Sequence, residues 1–260
     1  MKIKSKRIGF ESRDGLKLRG TLTTPSSGVI AALLLVHGIS SDRSEWGIFD
    51  LVANELAEEG ITSLRFDYRG HGKSKLDTDK ISLSGIQSDI MSAWDELESQ
   101  LEPHGKSLKH YVLGSSFGGG LSYAAASRIG RIDRVFLMAP VFNYFIDIEN
   151  SAPRWHSELK RRGQIRYNDL RLGRALVNEA FYLDPLVGPP VPATIFHGTA
   201  DTDVVIELSR KVAARHSNFE LVPVDGAGHV LNVPDDFDLE LDASWAFIKF
   251  MIEQIRKRIS

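Results

Sequence analysis

Two adjacent serines in a glycine-rich stretch are the first residues of this chain that could do chemistry. Residues 114–118 read GSSFG and fit the pattern G-x-S-x-G when Ser116 is the central residue. In that pattern a nucleophilic serine lies on a sharp turn between a strand and a helix. The two backbones nearly touch there, so the residues two before and two after the serine must be small. Centring on Ser115 would put Leu113 and Phe117 at those places, so the sequence favours Ser116.

The other interpretation of this stretch is a glycine-rich helix start that cradles a phosphate. A phosphate loop has the pattern G-x-x-x-x-G-K-[ST], and no lysine follows the glycines here. A strand-like run precedes the serines and a helix-like run follows them, which favours the nucleophile.

A serine hydroxyl is a weak nucleophile at neutral pH and needs a base, which in turn needs an orienting acid. His229 follows the last predicted strand on a glycine loop, GAGHV, that can reach the carboxyl edge of a sheet. Asp201 and Asp203 follow the strand before it, and either could orient the imidazole. The other seven histidines are interpreted as surface or structural residues: His37, His71, His104, His110, His156, His197 and His216.

Apolar strand-like runs alternate with amphipathic helical runs along most of the chain. The strand-like runs read VIAALLLVHG, ITSLRFDYRGHG, HYVLGS, IDRVFLMAP, ATIFHG and NFELVPVDGAGH, and helical runs separate most of them. A further pair of strands is predicted around a turn at Asp14-Gly15. This alternation predicts an α/β fold, a mostly parallel, doubly wound sheet with helices on both faces.

The alternation is interrupted at residues 141–192, which are too long for a simple connection and have helical patterning of their own. We predict one core domain, formed by residues 1–140 and 193–260, with residues 141–192 inserted as a cap over the carboxyl edge of the sheet. The cap contains aromatic residues that either build its own core or line an apolar acyl or aromatic pocket. They are Phe142, Tyr144, Phe145, Trp155, Phe181 and Tyr182.

The basic residues between Arg154 and Arg174 outnumber the acidic ones by seven to two. Such a run is usually a solvated helical face, and the alternative is a preference for anionic substrates.

Composition excludes several kinds of function. The chain has 260 residues, a formal net charge of -2 and no cysteine, which removes disulfides, thiolate metal sites and thiol nucleophiles. Nothing indicates a nucleic-acid partner or an integral membrane protein, and the basic N-terminus leads into no apolar run. We expect a soluble cytoplasmic protein without a metal or cofactor, and the sequence favours neither a monomer nor a homodimer.

Five motifs, each at a predicted strand end, make the chain resemble the α/β-hydrolase superfamily. They read LLLVHG, LRFDYRGHGKS, GSSFGGG, IFHGTADTDVV and GAGHV, and they occur in the family's order, with serine, aspartate and histidine following one another. The chain looks most similar to capped serine esterases, including bacterial cinnamoyl/feruloyl esterases and monoacylglycerol-lipase-like enzymes. The resemblance runs from about Gly15 to the C-terminus and is weakest in the insertion.

This resemblance implies roles for particular residues. The family's G-x-x-D-x-x-V pattern assigns the acid to Asp201 rather than Asp203. The backbone N–H groups of Ile39 and Phe117 would form the oxyanion hole. The stretch DYRGHGKS resembles a structural loop of the family. Relatives commonly have histidine before the nucleophile, whereas this chain has Ser115.

The activity implied is hydrolysis of carboxylic esters through an acyl-enzyme, with small acyl or aromatic-acyl esters as substrates. Phe142, Tyr144, Trp155, Phe181 and Tyr182 are the residues predicted to bind the substrate. A thioesterase or peptidase would use the same three residues, and a non-catalytic binding protein on the same scaffold is the alternative from another class.

Overall fold

A computed structural model describes residues 3–26, 28–101, 108–233 and 242–259. It contains ten strands: β1 Lys4–Glu11, β2 Lys17–Thr24, β3 Ala31–Val36, β4 Ile61–Asp67, β5 Lys109–Ser115, β6 Arg134–Met138, β7 Gln164–Tyr167, β8 Leu170–Gly173, β9 Ala193–Gly198 and β10 Phe219–Val224. Its eight α-helices are α1 Ile48–Glu58, α2 Leu83–Leu101, α3 Ser116–Ile129, α4 Tyr144–Ser151, α5 Trp155–Arg162, α6 Arg174–Ala180, α7 Glu207–Arg215 and α8 Asp242–Ile259.

Eight of these strands form one sheet in the order β1-β2-β4-β3-β5-β6-β9-β10. The pairs β1–β2 and β2–β4 are antiparallel, and the five remaining pairs are parallel. The first two strands meet at a turn in which Gly15 has a φ of 82°. The predicted mostly parallel sheet is therefore confirmed, and the two strands predicted around Asp14-Gly15 are β1 and β2 at its edge.

Helices cover both faces of the sheet, as predicted, because the central strands are apolar on both sides. Successive side chains of a strand point to opposite faces. In β3, Leu34 and Val36 join the core with α2 and α3, whereas Leu33 and Leu35 join a second core with α1 and α8. All six residues of β3 are buried, as expected of a strand with both faces covered.

The segment between β6 and β9 holds α4, α5 and α6, together with a hairpin that the sequence did not predict. Strands β7 and β8 pair only with each other, and Asn168 turns the chain between them with a φ of 49°. Within β7, Ile165 and Tyr167 are buried while Arg166 is exposed. That two-residue period was present in the sequence, but the strand is only four residues long and was interpreted as part of a basic helical face.

The parallel strands all end at one edge of the sheet, and this edge collects the polar residues singled out by the motifs. His37 follows β3, Ser116 follows β5, Asp201 follows β9 and His229 follows β10. Residues far apart in the sequence can therefore come within hydrogen-bonding distance at this edge.

Candidate active site

The turn from β5 into α3 places Ser116 at the first residue of the helix with a φ of 48°. A residue other than glycine rarely adopts this left-handed conformation, which stores strain. A Cβ on Gly118 would lie 2.2 Å from the carbonyl oxygen of His37, and a Cβ on Gly114 would lie 2.8 Å from the Cα of Gly119. Side chains at these two flanking positions would therefore collide with backbone.

Ser116, His229 and Asp201, which we call the candidate triad, form a continuous chain of hydrogen bonds. The Nδ1–H of His229 donates to the Oδ2 of Asp201 at 2.8 Å. Its Nε2 lies 2.8 Å from the Oγ of Ser116. With the proton on Nδ1, the Nε2 lone pair faces the serine hydroxyl and can accept its proton.

Asp201 is held by its own loop as well as by histidine. Its Oδ1 accepts the backbone N–H groups of Asp203 and Val204, both at 2.9 Å. Burial would raise the pKa of Asp201, but the hydrogen bonds from His197 and His229 outweigh it and hold this pKa well below its ordinary value. Asp203 contributes its backbone to this arrangement, and its side chain is exposed.

His197 is a member of this network that sequence reasoning did not connect with the acid. Its Nε2–H faces two acceptors, the carbonyl of Val204 at 2.6 Å and the Oδ2 of Asp201 at 3.1 Å. Its Nδ1 then accepts the hydroxyl of Ser209 at 2.8 Å. The interpretation of His197 as a structural residue agrees with this. The spacing of four residues between His197 and Asp201 was the available signal.

The protonation of His229 is biased by several carboxylates. Burial lowers the pKa of His229, but the hydrogen bond to Asp201 and the negative charges of Asp201, Asp203 and Glu45 outweigh it, so the pKa lies above its ordinary value. The site therefore favours the imidazolium that forms when His229 takes a proton.

The loop after β3 carries Ile39 next to the turn between β5 and α3 that holds Ser116. A Cβ on Gly38 would lie 3.3 Å from the Cβ of Ser116, so the two segments are in contact. The Nδ1–H of His37 donates to the carbonyl of Gly38 at 2.7 Å. Because a trans peptide is planar, the N–H of Ile39 points opposite to that carbonyl. Burial holds the pKa of His37 well below its ordinary value, so this histidine is neutral.

Phe117, the other expected oxyanion donor, is the second residue of α3. Its backbone N–H lies in the first turn, where a helix offers no partner of its own. A ligand oxygen can therefore use this N–H. The phenyl ring is fully buried.

The structure does not bring the predicted substrate aromatics together at the candidate triad, and their role in substrate binding stays a prediction. Tyr144 is fully buried, and its hydroxyl donates to the carbonyl of Phe117 at 2.8 Å. Tyr144 therefore packs against the turn between β5 and α3, and its side chain has no exposed surface.

The other aromatics surround a separate cavity of about 460 Å³ between the insertion and α7. Phe142, Phe145, Phe181 and Tyr182 line this cavity, and no residue of the candidate triad does. Trp155 packs edge-on against Phe145 and Phe181, with ring centroids 5.7 and 5.6 Å apart. Residues that follow one another in a helix point in different directions, so α4 sends Phe145 to this cluster and Tyr144 into the core.

The insertion instead places the Asp147 carboxylate where the charge of His229 acts on it, with Tyr167 bound to that carboxylate, and sequence reasoning missed both. The hydroxyl of Tyr167 donates to the Oδ2 of Asp147 at 2.7 Å. The ring of Tyr167 also packs against Phe117, with centroids 6.3 Å apart. Burial raises the pKa of Asp147 to about 6, moderated by the Tyr167 hydrogen bond and the charge of His229. Asp147 keeps some surface open to solvent, so it lies in a recess.

Among the described residues, no three or more histidine and acidic side chains are grouped to hold a metal ion. No helix in the described ranges is long and apolar enough to cross a membrane.

Comparison with known proteins places this geometry in a family. Residues 28–198 match the family described as serine aminopeptidase, S33. The uncharacterized protein YfhR of Escherichia coli K12 is 24% identical over 212 residues, which cover 79% of this chain and 66% of YfhR. The chain thus spans just under two thirds of the length of this curated relative.

Solved structures share the fold over almost the whole chain. Est1E from Butyrivibrio proteoclasticus, with ferulic acid bound, has a TM-score of 0.77 and 24% identity, covering 96% of this chain and 99% of its own. Mouse alpha/beta hydrolase domain-containing protein 10 has a TM-score of 0.74 and 19% identity, covering 98% of each chain. The Pyrococcus furiosus esterase PF2001 has a TM-score of 0.67 and 19% identity, covering 98% of this chain and 90% of its own. Since the family match spans more than half of the sequence, the chain belongs to the serine aminopeptidase S33 family of α/β-hydrolases.

Proposed function

We propose that this protein hydrolyses carboxylic esters through an acyl-enzyme on Ser116. The observation that carries the proposal is the unbroken path of hydrogen bonds from Ser116 through His229 to Asp201, with 2.8 Å at each step. A buried aspartate with a lowered pKa stays ionised, and it can stabilise the imidazolium that forms during the reaction. The two flanking glycines allow the strained turn on which the nucleophile lies.

The proposed reaction has two halves that use the same residues. His229 takes the proton of Ser116 through Nε2 while Oγ attacks the ester carbonyl, and the imidazolium then gives this proton to the leaving alcohol. Water attacks the acyl-enzyme in the second half, with its proton passing to His229 and then back to Ser116. Both tetrahedral intermediates carry a negative oxygen, which the N–H groups of Ile39 and Phe117 stabilise. Each such donor contributes about 10²–10³ in rate.

Residues 141–192 are proposed as a cap that shapes the acyl site. Tyr167 packs on Phe117, and the Nδ2 of Asn168 reaches the Oγ of Ser40 in the loop after β3 at 3.4 Å. The cap thus contacts both segments that would form the oxyanion hole. Est1E, which shares the fold, holds ferulic acid, and this supports small or aromatic acyl groups as substrates.

A peptidase acting on an N-terminal residue is the second candidate, and Asp147 favours it. A recessed carboxylate near His229 is suited to a substrate ammonium group, since opposite charges attract strongly where water is excluded. The family description, serine aminopeptidase, points the same way.

Location of the protein in the cytoplasm stays a prediction.

A substrate panel separates these two candidates. Nitrophenyl acetate, a nitrophenyl cinnamate and aminoacyl nitroanilides would be compared on the wild type and on Asp147→Asn. If the protein is an esterase, it hydrolyses the two esters, and the nitroanilide rate is near background in both the wild type and Asp147→Asn. An aminopeptidase hydrolyses the nitroanilides, and Asp147→Asn then raises their KM without raising that of acetate. No turnover of any member, with no acyl-enzyme detected, would contradict the proposed function.

A further inference from the structure

Glu45 is a fully buried carboxylate beside the candidate triad that the proposed reaction does not use. It lies in the loop between β3 and α1, where Glu45 and Trp46 have φ values of 46° and 52°, and Gly47 follows with 90°. Glycine adopts this conformation freely, but the left-handed conformation is costly for Glu45 and Trp46. The chain accepts this strain at the place where it turns the Glu45 side chain inward.

Two hydrogen bonds connect Glu45 to the two segments that carry the expected oxyanion donors. Its Oε2 accepts the backbone N–H of Gly38 at 3.0 Å, one residue before Ile39. Its Oε1 accepts the hydroxyl of Ser115 at 2.5 Å, two residues before Phe117. One side chain thus ties the loop after β3 to the turn that holds the nucleophile.

The position of Gly38 shows how close this connection is to Ser116. A Cβ on Gly38 would lie 3.3 Å both from the Oε1 of Glu45 and from the Cβ of Ser116. The peptide between His37 and Gly38 is held on both sides, with its N–H on Glu45 and its carbonyl oxygen against Gly118. The next peptide, which carries the Ile39 N–H, is held by His37. Glu45 therefore fixes the peptide that directly precedes the one carrying the Ile39 N–H.

We propose that Glu45 is a positioning residue of the oxyanion hole, with Ser115 as its partner at the nucleophile turn. The inference rests on the proposed hydrolase function. It also gives Ser115, the residue next to the nucleophile, a specific task. Burial raises the pKa of Glu45 against the hydrogen bonds from Ser115, Gly38 and Ser41.

The test compares substitutions that remove, shorten or imitate the Glu45 carboxylate. Glu45→Ala should lower kcat by about 10²-fold, the effect of losing one oxyanion donor, with KM changed less than about threefold. Glu45→Gln keeps an oxygen for Gly38 and an amide that can donate to Ser115, so kcat should recover to within about tenfold of the wild type. Affinity for phenylboronic acid, whose serine adduct imitates the tetrahedral intermediate, should fall in parallel with kcat/KM.

Asp89→Asn is the control for replacing a buried carboxylate by a neutral amide away from the candidate triad. Asp89 is fully buried on α2 and accepts the backbone N–H of Arg69 at 2.8 Å, as Glu45 accepts that of Gly38. This variant should lose thermal stability and keep both kcat and boronate affinity.

A folded Glu45→Ala with kcat within threefold of the wild type would overturn the inference. If Glu45→Ala does not fold, Glu45→Asp provides the test, because the aspartate side chain is too short to reach both Gly38 and Ser115. A kcat loss of tenfold or more at constant KM supports the proposal. An unchanged kcat refutes it. An inactive wild type that no fluorophosphonate labels would instead refute the proposed function.

Discussion

His229 Nε2 lies 2.8 Å from Ser116 Oγ, although the two residues are 113 positions apart in the sequence. The sheet brings them together because β5 and β10 run in the same direction and end at the same edge. The candidate chemistry therefore depends on the long-range topology of the sheet.

Asp201→Asn should lower kcat by about 10³–10⁴-fold, since an amide favours the wrong tautomer of His229. Asp203→Asn is the control, because Asp203 contacts the acid through its backbone N–H at 2.9 Å. It should keep turnover within a few-fold of the wild type. Steady-state kinetics on a nitrophenyl ester make the comparison, and greater damage from Asp203→Asn would mean that the wrong carboxylate is assigned.

On the acid side, the midpoint of the fall in kcat/KM should lie above pH 6.5, the ordinary pKa of histidine. His229 must be neutral to act as a base, and its pKa is raised. The groups facing it are Asp201, Asp203, Glu45 and Asp147. Asp203→Asn removes one negative charge and should move this midpoint to lower pH.

Asp133→Asn is the control for this shift in pH dependence. Asp133 pairs with Lys109 at the opposite end of β5, so its removal should leave the midpoint in place. If Asp203→Asn and Asp133→Asn have the same effect, the carboxylates do not set the pKa of His229.

Asp147→Asn should stabilise the fold at alkaline pH and not at pH 4. The pKa of Asp147 rises from 3.8 to about 6 on folding, so ionisation costs stability as the pH rises through that window. An asparagine avoids this cost and can still accept the Tyr167 hydroxyl. The gain in unfolding free energy should grow by up to about 3 kcal/mol between pH 4 and pH 8. Urea titrations of both proteins measure it, and a gain independent of pH would contradict the account.

Phe181→Ala and Tyr182→Ala should have different melting temperatures, and neither should change the preference between substrates. Phe181 packs on Phe145 with ring centroids 4.3 Å apart, whereas Tyr182 is 89% exposed. Losing Phe181 should lower the melting temperature, and losing Tyr182 should not. Because their cavity excludes the candidate triad, neither change should alter the ratio of kcat/KM between an acetyl and a cinnamoyl ester. An altered ratio would restore these aromatics to the substrate site.

The fold was predictable because its signals are local. Continuous apolar runs such as β3 indicate strands buried on both faces, and each ends at a glycine or polar loop. Small flanking residues alone distinguished Ser116 from Ser115. The positions of Asp201 and His229 after successive strands then implied that the parallel sheet would collect them.

The unpredicted features are side-chain contacts between segments far apart in the sequence, which no local spacing encodes. Glu45 reaches Ser115 across 70 residues of sequence, and Tyr167 reaches Asp147 from a hairpin across the insertion. The insertion was the least predictable part because its aromatic residues could equally form a core or a pocket. Helix α4 resolved this by directing Tyr144 inward and Asp147 toward His229.

Mass spectrometry of the protein after treatment with a fluorophosphonate tests the central claim most directly. A serine activated by His229 should be phosphonylated, so we expect one adduct, on the tryptic peptide of residues 110–128, with fragment ions assigning it to Ser116. Ser116→Ala should abolish the label, Ser115→Ala should retain it, and His229→Ala should slow it by orders of magnitude. A label on Ser115, or no label on protein that hydrolyses esters, would contradict the account.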